Sequence, residues 1–468
     1  MNLVDALERL AVRLTNGISA FRPPASGGLQ PSGFLLGTGT ESGEPIVLNL
    51  ATSQHIYMIG SSGSGKTTQL RRLVDADVAD GRTVVILDLH GDLSSLILTS
   101  LAGNEVDQAR VIFWDLASDE FLPNLNPLAS GGDVHRRVSA MVTAIKRRSD
   151  SWGVQLDQSL RAILTALAEQ GYSLMEVEAA LSNIGFRAAL KRRTSDDYVR
   201  TFLERFDALS REQQQTQLLA VSNKLTPYTA DPRMRRLLGS GDLGQIRAAL
   251  DTPGKVVIIA IPGYALGEMS GVLGEMLINT IWTTVLSRAK SIASRRVPIR
   301  LVVDEFQNAT SEQFGAMVTE GRRFGLSLTL SHQSQAQLPS SLRALIRNNS
   351  AVRVLLSPGV VDAGELATEL APLSHTDAVH EFMGLSVGEA FVVRRGEQFE
   401  RIALPNVGSP TVSRDALERY IEHAQRESCR RVAEIDAELT ERAQSISKLD
   451  QATQTAKKEV RHERRPWR

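Results

Sequence analysis

A single cysteine, Cys429, stands in the 468 residues of the sequence. One thiol can build neither a disulfide framework nor a cysteine zinc site, and such sparing use fits a reducing cytosol. An excess of one charge is also missing. Lys plus Arg total 53, and so do Asp plus Glu, so any surface for nucleic acid must be local. Long apolar runs are absent too. The most apolar stretch, Gly271–Leu286, is interrupted by Glu275 and Asn279, which marks a buried core helix rather than a membrane span. Residues 1–21 include Asp5 and Glu8 and hold no continuous apolar core, so no secretory signal is visible. These absences lead to the expectation of a cytoplasmic protein, recruited to a membrane complex only through another component.

What is present is ordinary in bulk and specific in one place. A hydrophobic share of 42% with 23% charged residues suits a globular protein, and the length suits two to three domains. The specific place is residues 56–68. The apolar run Ile56–Ile59 reads as a buried strand and opens into Gly60-Ser61-Ser62-Gly63-Ser64-Gly65-Lys66-Thr67, a complete G-x-x-x-x-G-K-[ST] loop. Thr68 and Gln69 lead into Leu70, Leu73 and Val74 at helical spacing. Glycines allow such a loop to turn its N–H groups inward, and the helix N-terminus adds to the cage for a polyphosphate. Lys66 would reach the β- and γ-phosphates of ATP, and Thr67 would ligate Mg²⁺.

Around that loop the chain reads as an α/β protein with mainly parallel strands. Residues 1–32 give an amphipathic helix (Leu3, Ala6, Leu7, Leu10, Leu14) and a Pro/Gly linker, and 33–50 a hairpin. Buried strands are expected at Thr83–Leu87, Arg110–Trp114, Lys255–Ile261, Ile299–Val303, Leu326–Leu330, Val352–Leu356 and Ala390–Arg394. Asp88, His90 and Asp92 follow the first of these at the ligand edge of the sheet, and capping of the next helix is the favoured role for the two acids. From about Val134 to Leu250 the pattern is almost wholly helical, with breaks at Gly171, Gly185, Pro227 and Pro232. More than a hundred helical residues exceed a crossover connection, so an all-α insert is expected. Its clusters Lys146-Arg147-Arg148, Lys191-Arg192-Arg193 and Arg233 with Arg235-Arg236 could touch DNA phosphates or form a solvated, acid-paired face; zero net charge favours the second.

Two further edges carry chemistry. Ile299–Val303 ends in Asp304-Glu305, an acid to support Mg²⁺ and an acid to polarise the attacking water. Leu326–Leu330 leads to Ser331-His332-Gln333, where Gln333 could sense the γ-phosphate. Residues 413–456 read as one charged helix and 457–468 as a basic tail. The expected division is 1–32 helix and linker, 33–132 first part of the core, 133–250 insert, 251–410 second part of the core, and 411–468 the C-terminal helix and tail.

Together GSSGSGKTT (60–68), DLHGDL (88–93), LNPL (125–128), LVVDEFQN (301–308) and GRRFGLSLTLSHQ (321–333) resemble the HerA/FtsK superfamily of ring-forming DNA-pumping ATPases, HerA-like proteins and conjugative coupling ATPases in particular. The likeness spans about residues 33–405. It implies a RecA-like core, ATP and Mg²⁺ at the boundaries of a homohexamer, and DNA in a central channel, duplex favoured and single-stranded possible. Carried over, Lys66 and Thr67 bind phosphate and metal, Asp304 supports the metal, Glu305 activates water and Gln333 is the sensor. An arginine finger from the neighbouring subunit is implied, with Arg322 the first candidate and Arg347 or Arg353 next. Three functions are compatible with this likeness: a duplex translocase, a coupling ATPase that moves single-stranded DNA with a relaxase, and a scaffold NTPase for a nuclease or other effector. Coupling proteins carry an N-terminal membrane anchor, and for this sequence none is expected. About fifty residues ahead of the loop also leave little room for the small β-barrel of HerA-like enzymes.

Overall fold

The structure is a computed structural model that describes residues 33–50, 54–129, 133–310, 312–395, 398–408 and 411–463. The amphipathic helix expected within 1–32 lies outside the described residues. So do the side chains of the basic run 457–468.

Continuous apolar runs produce the centre of the molecule. β1 (Gly33–Gly39) and β2 (Pro45–Asn49) form the expected hairpin, and β3 (His55–Ile59) leads into the glycine-rich loop and α1 (Lys66–Ala79). β4 (Thr83–Asp88), α2 (Asp92–Gly103), β5 (Val111–Asp115) and the short β6 (Phe121–Leu122) follow. β7 (Val256–Ala260), β8 (Ile299–Asp304), β9 (Leu326–His332) and β10 (Ser350–Leu356) continue the sheet, and β11 (Glu389–Arg394) and β12 (Phe399–Ala403) complete it. Seven strands are parallel, in the order β10-β3-β9-β8-β4-β7-β5; β11, β12, β1 and β2 extend it antiparallel to eleven strands. Every residue of β3, β4, β7, β8 and β9 is buried, as a parallel sheet covered on both faces demands. The α/β expectation therefore holds strand for strand at its centre.

The helical insert is present. It comprises α3 (Val134–Arg147), α4 (Val154–Glu169), α5 (Val177–Ser182), α6 (Ile184–Arg193), α7 (Asp197–Ala208), α8 (Arg211–Thr229), α9 (Pro232–Gly239) and α10 (Gly244–Leu250). Its apolar residues, Leu160 to Leu250 among them, share one continuous core with Tyr57, Leu87 and Ile259 on one face of the sheet. Two expected breaks are corrected. Pro227 lies inside α8, near its end, where a missing N–H forfeits one hydrogen bond and buried Tyr228 holds the turn. Gly185 lies in the first turn of α6, two residues past the Asn183 cap, and a Cβ there would stand 2.1 Å from the Leu449 carbonyl oxygen. Its glycine serves a close helix approach.

After β7 come α11 (Gly263–Leu266) and the long core helix α12 (Met269–Ser287), then α13 (Glu312–Glu320), α14 (Ser340–Asn349), α15 (Val360–Leu366) and α16 (His375–Met383). The single charged helix expected over 413–456 is instead two, α17 (Arg414–Ser428) and α18 (Val432–Glu463). Between them Arg430–Arg431, strand β13, pairs antiparallel with β6. No glycine or proline announces this break; tertiary docking makes it. The Ser428 hydroxyl donates to Phe113 O at 3.0 Å and Trp114 Nε1 donates to Ser428 O at 3.0 Å, pinning the end of α17 against β5. α18 then runs over the insert, where Arg236 grips Asp436 at 2.7 Å and Asn183 donates to Ile446 O at 3.1 Å.

One buried histidine gives the fold a pH dependence. Leu328 N–H donates to His55 Nδ1 at 3.0 Å, and His55 Nε2 lies 3.0 Å from Val318 O, so the neutral ring is used on both sides. Burial and the nearby Arg322 guanidinium lower its pKa from 6.5 to about 4. The unfolded chain then binds more protons between those values, so the stability that neutral His55 contributes is full above pH 6.5 and lost as pH falls towards 4. Going from pH 7 to pH 5 is expected to cost about 2 kcal/mol through this group. Urea unfolding at the two pH values, with His55→Gln as the comparison lacking this titration, checks it.

Candidate nucleotide site at the sheet edge

Register brings the chemistry to one edge. In the parallel ladder Ile59 stands beside His332, Ser331 beside Asp304, and Asp304 beside Asp88. The strand ends therefore deliver Gly60, Gln333, Glu305 and the Asp88 turn to the same side of the sheet, where ligands bind in open α/β folds. The strand that feeds the glycine-rich loop, β3, and the acid strand β8 are not neighbours; β9 lies between them.

The loop is built by close packing. A Cβ on Gly60 would stand 2.8 Å from Leu356 Cβ, while Gly63 and Gly65 take φ values of 77° and 96°. Those positive angles are open to glycine at little cost and start α1 without a side-chain cap. The first-turn N–H groups of α1 have no carbonyl four residues earlier in the helix, which leaves them for an anion. Ser61 is anchored to Ser357 O through its N–H (2.9 Å) and its hydroxyl (2.8 Å). The Lys66 ammonium donates to Gly60 O at 2.7 Å and Ser61 O at 3.0 Å, folded over its own loop. Burial lowers its pKa, and Glu305 and Asp304 oppose that shift.

The acid pair faces this cation. Asp304 accepts from the Ser331 hydroxyl and from Glu305 N–H, the latter at 3.1 Å. Burial raises its pKa to about 6; the Ser331 hydrogen bond opposes the rise, and the Glu305 and Asp88 carboxylates add to it. A buried acid crowded by two others, with Lys66 as the attractive charge, fits a divalent cation; Thr67 on the first turn of α1 and Asp304 would hold it. Among the described residues no cluster of three or more His, Cys, Asp or Glu could hold a metal. A cation here would therefore depend on Thr67 and the substrate's own phosphates as well.

Glu305 adopts φ 51°, ψ 46°, the left-handed region that a non-glycine residue enters only under local constraint. Both of its carboxylate oxygens are occupied: Gln333 donates to Oε1 at 2.9 Å and Gln307 to Oε2 at 2.8 Å. A carboxylate only accepts, so both amides must present their NH₂ groups. Asp88 has the expected capping role, accepting from His90, Gly91 and Ser94 N–H at 3.1, 2.8 and 2.6 Å. Asp92 is the first residue of α2, with Gly91 as the cap, and His90 is exposed.

With this geometry in place, the sequence matches the family model of the central domain of the helicase HerA over residues 33–279, more than half of the chain. The chain belongs to the HerA central-domain family. Its fold is that of the conjugative coupling protein TrwB without its first 70 residues (TM-score 0.55, 17% identity, covering 82% of this chain and 92% of that one). VirB4 of Thermoanaerobacter pseudethanolicus has the same TM-score and identity and covers 82% and 99%. TrwB in complex with ADP and Mg²⁺ matches at TM-score 0.53 and 16% identity, covering 83% and 98%. No curated protein matches the sequence.

Within this HerA-type core, the residues singled out from sequence fall into two groups. Gly60 to Thr68, Asp304, Glu305 and Gln333 converge at one edge. Arg322 does not join them: its turn, Gly321–Phe324, precedes β9 near His55, at the far end of the parallel strands from the loop. Arg347 and Arg353 both pair with Glu369, at 2.9 and 2.8 Å. Of the nine residues in the basic clusters, four, Arg147, Lys191, Arg233 and Arg236, are bound to Glu275, Asp207, Asp119 and Asp436. Sequence reasoning missed Gln307 and Ser331 as partners of the acids, although both lie within the quoted motifs. No helix among the described residues is long and apolar enough to cross a membrane.

Proposed function

We propose that this chain is an ATPase that couples hydrolysis to the movement of duplex DNA through a ring of identical subunits. The observation that carries the ATPase half is the Glu305 carboxylate, held by two glutamine amides beside Asp304 and facing a phosphate loop whose lysine is folded over its own carbonyls. ATP entering the loop gives Lys66 a better partner than Gly60 O and Ser61 O, namely the β- and γ-phosphate oxygens. Glu305 orients a water molecule and takes its proton as the water attacks the γ-phosphorus and the bond from phosphorus to the β–γ bridging oxygen breaks, releasing ADP and phosphate, and Gln333, bonded to Glu305, reports the change. Bound Mg²⁺, held by Thr67 and Asp304, would offset charge on the phosphate oxygens. Arg322 lies away from its own chain's loop, which suits a group that acts in a neighbouring subunit.

The DNA half rests on membership of the HerA family. The extent of the likeness to TrwB, a conjugative coupling protein, favours a second reading in which the cargo is single-stranded and a relaxase is the partner. In a third, the ring is a scaffold for an effector nuclease.

Steady-state ATPase without nucleic acid, with duplex DNA and with single-stranded DNA separates the three, with Lys66→Ala as the blank. Stimulation by duplex is the expected result, and stimulation by single strands alone selects the coupling reading. Hydrolysis that is flat across all three conditions overturns the motor.

A further inference from the structure

Five consecutive residues, from Ser331 near the end of β9 to Gln335 just beyond it, spend polar groups on four anchors: Asp304, Tyr57, Glu305 and Asp362. Ser331 donates to Asp304. His332 Nε2 lies 2.5 Å from the Tyr57 hydroxyl. Gln333 donates to Glu305 at 2.9 Å. The Ser334 hydroxyl donates to Asp362 Oδ1 at 3.0 Å, and Gln335 N–H donates to the same oxygen at 2.9 Å. The Gln335 amide returns to the Tyr57 hydroxyl at 3.2 Å. Tyr57 accepts from Gln335, and its own proton is free for His332.

The position of these anchors matters because the backbone ladder stops there. The last pair between β3 and β9 is Ile59 with His332, and the last between β8 and β9 is Asp304 with Ser331. Gln333, the residue that holds Glu305, is therefore one step beyond the last strand pairing. Its location is set by what grips His332 on one side and Ser334 and Gln335 on the other. Tyr57 grips both sides. It is 4% exposed, stacks at a tilt on the His332 ring with centroids 5.4 Å apart, and belongs to the strand that delivers the phosphate loop. Burial keeps His332 neutral, with its pKa lowered to about 4.

We propose that Tyr57 is a positioning residue for hydrolysis: through His332 and Gln335 it fixes the strand end from which Gln333 holds the Glu305 carboxylate, with Asp362 at the N-terminal end of α15 as the second anchor. The phosphate loop and the sensor are thereby coupled by a side chain as well as by the sheet. This rests on reading the site as an ATPase and is independent of DNA.

Tyr57→Phe keeps the ring and removes the hydroxyl. In the full-length chain, without DNA, kcat is expected to fall about 10-fold or more, the scale on which small misplacements of reacting groups act. Binding of a fluorescent non-hydrolysable ATP analogue is expected to stay at the wild-type level, because the loop itself is untouched. Asp362→Ala should reproduce the loss, and Asp362→Asn, which retains an acceptor oxygen, should restore the rate. An unchanged kcat in Tyr57→Phe, even with a lowered melting temperature, reduces Tyr57 to packing and overturns the proposal; a parallel loss of analogue binding does so too. Should Tyr57→Phe not fold, equal rates in Asp362→Ala and Asp362→Asn overturn it. A wild-type ATPase that ignores DNA removes the motor reading alone, whereas a wild type that does not hydrolyse ATP removes both.

Discussion

Glu305→Gln is expected to lower ATP turnover by about 10²–10⁴-fold, the range supplied by a positioned general base, while leaving ATP binding in place. The substitution is isosteric. One end of the new amide can still accept from Gln333 or Gln307, and the other amide partner can rotate to present its oxygen, so the left-handed turn at Glu305 keeps its side-chain supports. What disappears is a group able to take a proton. The phosphate loop, Lys66 and Asp304 are unaltered, so a fluorescent ATP analogue should bind as before, and ATP should accumulate on the protein. Single-turnover hydrolysis with equilibrium binding separates the two effects. Normal turnover in this variant would mean that another group activates the water, and would remove the catalytic role from Glu305.

The second large effect is on stability. Asp77, near the end of α1, and Arg300, on β8, form an ion pair with side-chain exposures of 0% and 2%. Arg82 approaches Asp77 at 3.3 Å, and Arg300 also donates to the Thr329 hydroxyl on β9 at 3.2 Å. This pair ties the phosphate-loop helix to the acid strand at the end of the sheet away from the phosphates. Asp77→Ala leaves Arg300 charged and buried, and is expected to cost about 3–5 kcal/mol in urea unfolding. The double substitution Asp77→Leu with Arg300→Met removes both charges and should recover most of that loss, since well-packed apolar groups often replace such pairs without penalty. A mild effect in the single variant would show that Arg300 reaches water or another acceptor when Asp77 is gone.

Much of the site was legible from the chain because its signals are local. The spacing of Gly60, Gly65, Lys66 and Thr67 directly encodes a loop that only certain backbone angles can make. Apolar runs such as Thr83–Leu87 and Ile299–Val303 specify strands buried on both faces, and an acid at the end of such a run can only fall on the ligand edge. The capping role of Asp88 was legible for the same reason, since the N–H groups that donate to its carboxylate lie within six residues. The break at 429–431 was not, because nothing in Cys429-Arg430-Arg431 opposes a helix; pairing with Phe121–Leu122 and the grip of β5 on Ser428 decide it. Strand β12 escaped notice as well. Glu400 and Arg401 interrupt its pattern, and its place between β11 and β1 supplies the hydrogen bonds that its sequence does not advertise.

The α/β class, the phosphate loop, the acid pair and the helical insert could be read from the chain, since each depends on residues close together in it. Tertiary structure alone decided which strand separates the loop from the acids, that Glu305 is clasped by Gln333 from 28 residues away, and that Arg322 sits at the opposite end of the sheet. It also brought Tyr57 to His332 across 275 residues. These are facts of strand order and register, and they are fixed when the packing of both faces selects one arrangement of buried strands that are each, taken alone, nearly interchangeable apolar runs.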